Sequence, residues 1–386
     1  MKVGILSMQK VKNHGSFLQA YALCNVIKSE VGAEVEFVDF SSNQGVVDFC
    51  REGYEKWKSS RLKFFLANVG SAMIKIPLLG KIFRKNKQLR EWSNLLNYYK
   101  VYAINYEKIY WKDLPLTEKT LSESDADIVV IGSDEVFNYR VNSSVGYSDE
   151  LFGSGWGGKL ISFAACFGST NMEHLDAETQ DKLSRYLLNF NAISVRDENS
   201  KYIANKLTGY KFDIQNHLDP VFHYEFEREL PNIKRKPYIA VYSYNGLSEP
   251  YKNSIKKYAT KHELDIVCLH GYQGDFGEYV CSSPFETLAY IKNAECVVTN
   301  TFHGVVFSSK FNKNFCAIIE DNEHYSNLNK LGDLLHRLHL ESRVITNSDN
   351  LDKCLGEKFD YQETNSYIKE TVIKGRKYIR DNILEK

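Results

Sequence analysis

Residues Ala294 to Ile319 read Ala-Glu-Cys-Val-Val-Thr-Asn-Thr-Phe-His-Gly-Val-Val-Phe-Ser-Ser-Lys-Phe-Asn-Lys-Asn-Phe-Cys-Ala-Ile-Ile. The pattern predicts a short apolar strand over Cys296–Val298 and a polar turn holding Thr299, Asn300, Thr301 and His303. An amphipathic helix then opens near Gly304, and a second apolar strand covers Phe315–Ile319. In an open α/β sheet the turn after a strand's carboxyl end faces the ligand crevice, and a helix N-terminus there presents free N–H groups to an anion. His303 therefore stands where chemistry is usually done, although a lone histidine in such a turn serves equally well as a cap or as packing under the helix.

The same strand-helix alternation runs outward in both directions. Upstream lie strands over Tyr238–Tyr244 and Leu264–His270, with helices over Pro250–His262 and Pro284–Asn293. The chain begins with a strand (Lys2–Met8), a polar loop (Gln9–Ser16), a helix (Phe17–Lys28) and a strand (Glu34–Phe40). In that loop Asn13 and Gly15 suit a turn of positive φ, Ser16 suits an N-cap, and Gln19 is read as facing the crevice from the first helical turn. With 386 residues the chain is too long for one core and suits two domains.

Composition narrows the function classes. Lys and Arg number 49 against 49 Asp and Glu, so no global charge points to nucleic acid. Eight cysteines without a C-x-x-C pair read as reduced core residues of a cytosolic protein rather than a disulfide frame or zinc site. Met1 leads straight into a strand pattern, so no signal peptide is expected, and no apolar window reaches membrane-spanning length. Gly153-Ser-Gly-Trp-Gly-Gly158 matches G-x-G-x-x-G in form, but it precedes a strand instead of following one and opens no helix. Asp125-Ala-Asp127 leads into its strand and is likewise set aside as a metal pair.

One stretch departs from this average. From Lys56 to Trp92 there are ten Lys or Arg residues against one acid, Glu91, interleaved with Phe64, Phe65, Leu66, Ile74, Leu78, Leu79 and Phe83. Such a cationic, apolar stretch suits contact with an anionic membrane, and it suits equally an inserted helical hairpin with a solvated basic side.

Five ordered strings resemble the polysaccharide pyruvyl transferase family. They are Asn13-His-Gly15-Ser-Phe-Leu-Gln19-Ala, Gly132-Ser133-Asp134-Glu135-Val-Phe-Asn138, the segment ending in Gly168-Ser169, Ser194-Val-Arg196-Asp-Glu-Asn-Ser200 with His217-Leu-Asp219-Pro220 behind it, and Thr301-Phe302-His303-Gly304. Glu135 and Phe137 depart from the Gln and Trp that the family typically shows. The resemblance implies two Rossmann-like domains facing a cleft, a glycosyltransferase-B-like α/β fold. The expected division is an N-terminal domain over 1–225 with a basic helical insertion at about 50–112, a C-terminal domain over 226–350, and a helical segment over 351–386 packing back on the first domain.

It further implies transfer of the enolpyruvyl group of phosphoenolpyruvate to two hydroxyls of a sugar, in a polysaccharide or its lipid-linked precursor. Phosphoenolpyruvate enters as donor substrate, and neither a metal nor another cofactor is expected. His303 becomes the candidate acid/base and Arg196 the candidate clamp for the donor, since a guanidinium fork matches carboxylate or phosphate. Asn13, Gly15, Gln19, Ser133, Asp134, Asn138, Gly168, Ser169, Thr301, Phe302 and Gly304 become candidate substrate contacts. Some family members carry arginine where this chain has Thr301, so a second cation must come from elsewhere; Lys310 and Lys313 are near in sequence. The implied place of work is the cytoplasm, at the inner face of the membrane. The fold equally admits a glycosyltransferase using a nucleotide sugar, or a non-catalytic sugar-binding assembly protein.

Overall fold

The computed structural model describes residues 1–41, 49–73, 86–139, 147–244, 246–319 and 325–385. Strands β1 (Lys2–Leu6), β2 (Glu34–Asp39), β3 (Leu116–Thr120), β4 (Ile128–Ile131) and β5 (Lys159–Ser162) form a parallel sheet in the order β3-β2-β1-β4-β5. A short parallel pair, β6 (Ser194–Val195) and β7 (Gln215–Asn216), extends it through single bridges from Ile161 to Ala192 and from Ala165 to Val195. The second sheet uses β8 (Tyr238–Ser243), β9 (Asp265–His270), β10 (Glu278–Val280), β11 (Cys296–Thr299), β12 (Asn314–Ile318) and β13 (Val344–Ile345). Its order is β10-β9-β8-β11-β12-β13, again parallel throughout.

Parallel strands covered by helices on both faces read as unbroken apolar runs, and the central strands here do. Every residue of β4, β8 and β11 is buried. In each sheet the strand order reverses beside a central strand, between β1 and β4 in the first and between β8 and β11 in the second. Crevices open at the carboxyl ends of strands at such reversals. The segments after β1, β4 and β11 carry most of the candidate residues, and those after β5 and β6 carry Gly168, Ser169 and Arg196.

Two helix starts that bear on the site differ from the sequence reading. The helix after β11 opens at Phe302, not Gly304, because Thr301 is its N-cap and accepts from the Gly304 N–H at 3.0 Å. The first helix covers His14–Val31, capped by Asn13, which accepts from the Ser16 N–H at 2.8 Å; Ser16 is not the cap. Asn13 has φ −138°, so this loop needs no left-handed residue there. Gly15 is required for proximity instead: a Cβ on it would lie 2.1 Å from His303 Nδ1.

The segment between β2 and β3 forms helices over Phe49–Lys58, Arg61–Met73 and Lys87–Tyr99, then a π-helical turn (Lys100–Asn105) and a short helix (Tyr106–Tyr110). It has its own small core of Tyr54, Ala67, Leu96 and Ala103. Its root grips the second sheet's unit, since Arg90 Nε donates to Asp275 at 2.9 Å and Tyr272 donates to the Glu91 carbonyl at 3.1 Å. Lys75, Lys81, Arg84 and Lys85 of the basic stretch lie outside the described residues. The last helix, Gln362–Leu384, lies on the first helix, where Arg376 pairs with Glu30 at 2.8 Å, and reaches the end of β5, where Tyr378 donates to the Ser162 carbonyl at 3.0 Å. Among the described residues no helix is long and apolar enough to cross a membrane.

Candidate active site

Arg196 leaves the end of β6, and Asp197 behind it caps the next helix by accepting from the Ser200 N–H at 2.7 Å. The guanidinium is 1% exposed. It donates through Nη1 to Asp219 Oδ2 at 2.9 Å and through Nη2 to Asp134 Oδ1 at 3.3 Å, and it stacks on the Phe302 ring at 4.2 Å. Asp219 follows β7 and caps the turn Pro220–His223. Asp134 follows β4 in a left-handed conformation, φ 74°, and takes a second bond from Ser16 Oγ at 2.5 Å. A non-glycine residue held there stores strain that the surrounding contacts must hold in place.

His303 comes from the other sheet, in the first turn of the helix after β11. Its Nε2 lies 3.6 Å from the same Asp219 Oδ2, a charge contact too long for a hydrogen bond, and has no hydrogen-bond partner among the described residues. Arg196 Nε, Ser133 Oγ and the hydroxyls of Tyr106 and Tyr242 are likewise buried without partners there. Buried polar atoms are ordinarily bonded, so the unpartnered Nε2 of His303 and Nε of Arg196, both beside Asp219, mark a place able to receive a polar ligand.

Burial alone would raise the carboxyls of Asp134 and Asp219. For Asp134 the charges of Arg196 and His303 outweigh it, and for Asp219 those of His303 and Arg196 do, so both stay below the usual carboxylate range. Glu135 behaves the same way: burial pushes it up, and Lys330 pulls it further down. The junction therefore carries ionised carboxylates facing a histidine from the opposite unit.

The candidate contacts fall into three groups. Gly15, Asp134 and Phe302 are in or against the cluster, while Gly304 follows His303 in the same helical turn and packs on Thr299, where a Cβ would meet Oγ1 at 1.9 Å. Asn138, Gly168 and Ser169 form its floor. Asn138 donates to Glu135 at 2.7 Å and accepts from Thr170 at 2.9 Å and Ser169 at 3.3 Å, while Gly168 has φ 55°. Asn13, Ser133, Thr301 and Gln19 are set back. Gln19 does not face the crevice; it is fully buried, donating to Ser7 Oγ at 3.0 Å and the Ser16 carbonyl at 2.9 Å. Starting the helix at His14 puts Gln19 in the second turn, behind the rim. Nor do Lys310 and Lys313 reach the cluster, since Lys310 pairs with Glu225 at 3.5 Å and Lys313 donates to the Lys292 carbonyl at 3.1 Å.

Several residues of the junction carried no signal in the sequence. Tyr102 of the insertion joins His14 Nε2 at 3.0 Å to His270 Nδ1 at 2.7 Å, and Thr287 reaches His14 Nδ1 at 2.9 Å. This chain ties the insertion to both units, and burial lowers both imidazoles, His270 to about 3. His270 sits at the end of β9 with φ 66°. Lys330, from the helix Tyr325–Arg337, pairs with Glu135 across the junction.

Two parallel sheets meeting strand end to strand end, with a charged cluster drawn from both, define a glycosyltransferase-B-like α/β fold. The chain superposes on a putative UDP-N-acetylglucosamine 2-epimerase from Listeria monocytogenes with TM-score 0.50 and 10% identity, covering 100% of this chain and 97% of that one. The UDP-GlcNAc 2-epimerase of Methanocaldococcus jannaschii gives TM-score 0.49 and 9% identity, over 98% and 100%. At such identity the likeness is one of fold alone. A search of curated protein sequences finds no match. The sequence matches the polysaccharide pyruvyl transferase family over residues 13–322, and the chain belongs to that family.

Proposed function

We propose that this chain transfers the enolpyruvyl group of phosphoenolpyruvate to two hydroxyls of one sugar, forming a pyruvate ketal and releasing phosphate. The observation that carries this reading is the unpartnered Nε2 of His303, set beside the Asp219 carboxylate at 3.6 Å and facing the Arg196 cluster. Protonation of the donor's methylene carbon by His303 leaves positive charge on the adjoining carbon, where Asp134 and Asp219 supply opposing charge. A sugar hydroxyl adds to that carbon and its proton returns to His303. Loss of phosphate and addition of the second hydroxyl, whose proton leaves with the phosphate, close the ketal. Arg196 orders both carboxylates and offers the donor the unpartnered N–H on Nε.

The acceptor in this reading is a sugar of a polysaccharide or of its lipid-linked precursor, met at the cytoplasmic face of the membrane. The insertion supports that placement: Leu62 and Phe65 are 69% and 62% exposed, and Lys56, Lys58, Arg61 and Lys63 beside them are exposed as well. Incubation with phosphoenolpyruvate and a panel of aryl and lipid-linked glycosides, read by mass for the ketal increment, tests the reaction. Turnover of a nucleotide sugar with no use of phosphoenolpyruvate would overturn it.

A further inference from the structure

The helix Tyr325–Arg337 belongs to the second unit yet brings two cations to the strand ends of the first. They are held differently. Arg337 pairs with Asp333 of its own helix at 2.9 Å and uses its remaining donors on the Arg196 carbonyl at 2.6 Å and Asn216 at 3.1 Å. Lys330 is 11% exposed, and among the described residues its one carboxylate partner is Glu135. Burial works against its charge, but Glu135 more than offsets this and keeps it protonated.

Lys330 is the main charge holding Glu135 ionised, but it is not the only contact that seats the carboxylate. Its other oxygen accepts from Asn138 at 2.7 Å, and a Cβ on Gly168 would lie 2.7 Å from that same oxygen, so the carboxylate is seated from two sides. Lys330 and Arg196 are near enough to repel each other, and they flank the consecutive carboxylates Asp134 and Glu135. Asp134, Glu135 and Asp219 thus face Arg196 and Lys330 as the cations of the junction. A donor bearing both carboxylate and phosphate meets repulsion there unless a cation is released to it. Arg196 cannot swing, being forked between two carboxylates and stacked on Phe302. Lys330 has a single partner and a flexible four-carbon stem.

We propose that Lys330 is an anion-binding residue of this cleft, resting on Glu135 and handed to the phosphate or carboxylate of an incoming donor. The identity of that donor rests on the function proposed above; the anion exchange does not. The full chain and its Lys330→Met, Lys330→Arg and Glu135→Gln variants are titrated calorimetrically with phosphoenolpyruvate and, separately, with inorganic phosphate. Lys330→Met should weaken binding about tenfold to a hundredfold, the scale of one charge-assisted hydrogen bond, and Lys330→Arg should restore most of it. Glu135→Gln should tighten binding, because Lys330 loses its competitor. A purely structural latch gives the opposite sign: Glu135→Gln and Lys330→Met would both weaken binding and both lower the melting temperature, which overturns the proposal. If phosphate binding depends on Lys330 while phosphoenolpyruvate gives no heat, the anion site stands and the donor falls. If phosphoenolpyruvate binds Lys330→Met as tightly as wild type, Lys330 is wrongly assigned and the donor stands.

Discussion

Arg196 and His303, carried by different sheets, converge on one atom, Oδ2 of Asp219, at 2.9 and 3.6 Å. That shared carboxylate couples the end of β7 in the first sheet to the first turn of the helix after β11 in the second. Any shift of one unit against the other changes the distance between His303 and its counter-charge, so geometry at the junction and chemistry are one variable.

Removing the imidazole should therefore remove the chemistry without the fold. His303→Ala should lower turnover by roughly 10² to 10⁴, the usual scale for a general acid/base, with an unchanged circular dichroism spectrum. Turnover equal to wild type would exclude His303 from the acid/base role.

Arg196 should behave differently under its two natural substitutions. Arg196→Ala leaves Asp134 and Asp219 buried and unpaired, which should cost about 3–5 kcal/mol in denaturant unfolding. Arg196→Lys keeps the charge but loses the fork, so the fold should persist while the Michaelis constant for phosphoenolpyruvate rises. An unaltered Michaelis constant in a folded Lys variant would remove Arg196 from donor binding.

Gly15 offers a sharper probe of placement than any residue that bears charge. Gly15→Ala drives a methyl against His303 Nδ1, where an unrelaxed Cβ would sit 2.1 Å away. Displacing a catalytic group by about 1 Å costs on the order of 10² in rate, and overpacking costs about 1–3 kcal/mol in stability. Kinetics and melting measured on one sample should show a rate loss of about 10² in a protein that still melts cooperatively; wild-type turnover in the folded variant would mean that Gly15 does not set the position of His303.

How much of this was legible beforehand depends on what each residue needed. The buried strands announced themselves as apolar runs, and Arg196 and His303 stood out because each follows a strand within a recognisable string. Asp219 reads in the sequence as part of a Leu-Asp-Pro turn, since an Asp before Pro satisfies ordinary turn chemistry and nothing local reveals that its second oxygen faces another unit. Lys330 looks like any lysine on an amphipathic helix. Tyr102 lies in an insertion whose basic composition points to its surface, whereas its tyrosine-rich root is packed inside. Gln19 was misplaced because the helix starts three residues earlier than its apolar spacing shows. These features are set by tertiary packing, which periodicity does not encode.

Acid should unfold the protein early. Burial lowers His14 well below its usual value and brings His223 and His270 down to about 3, so all three are neutral when folded. Released into water each takes up a proton near pH 6.5, as a free histidine does. Below about that pH the unfolded chain binds more protons than the folded one, and each histidine removes up to about 1.4 kcal/mol per pH unit. The lowered carboxyls of Asp134, Glu135 and Asp219 act in the same direction, but only from about pH 4 downward, as they become protonated. The melting temperature should already be falling between about pH 6.5 and 5. A flat profile over that interval would mean that these histidines are not buried neutral.

The exposed tip of the insertion should confer binding to anionic vesicles at low salt, each Lys or Arg near the surface contributing about 1 kcal/mol. Changing Lys56, Lys58, Arg61 and Lys63 to Glu, or Leu62 and Phe65 to Ser, should abolish flotation with such vesicles while leaving turnover of a short soluble acceptor intact. Equal flotation by the variants would place the tip in water.

The insertion joins two strands, β2 and β3, that are already neighbours in the first sheet. Closing a loop between fixed ends grows costlier only with the logarithm of its length, about 0.6 kcal/mol per doubling, so the tip can be lengthened, trimmed or exchanged at almost no expense to the sheet. The root is another matter, because Tyr102 binds histidines of both units at once. Evolution, or an engineer, is thus left with a cassette whose outer helices are free to vary with the acceptor while its attachment point stays invariant.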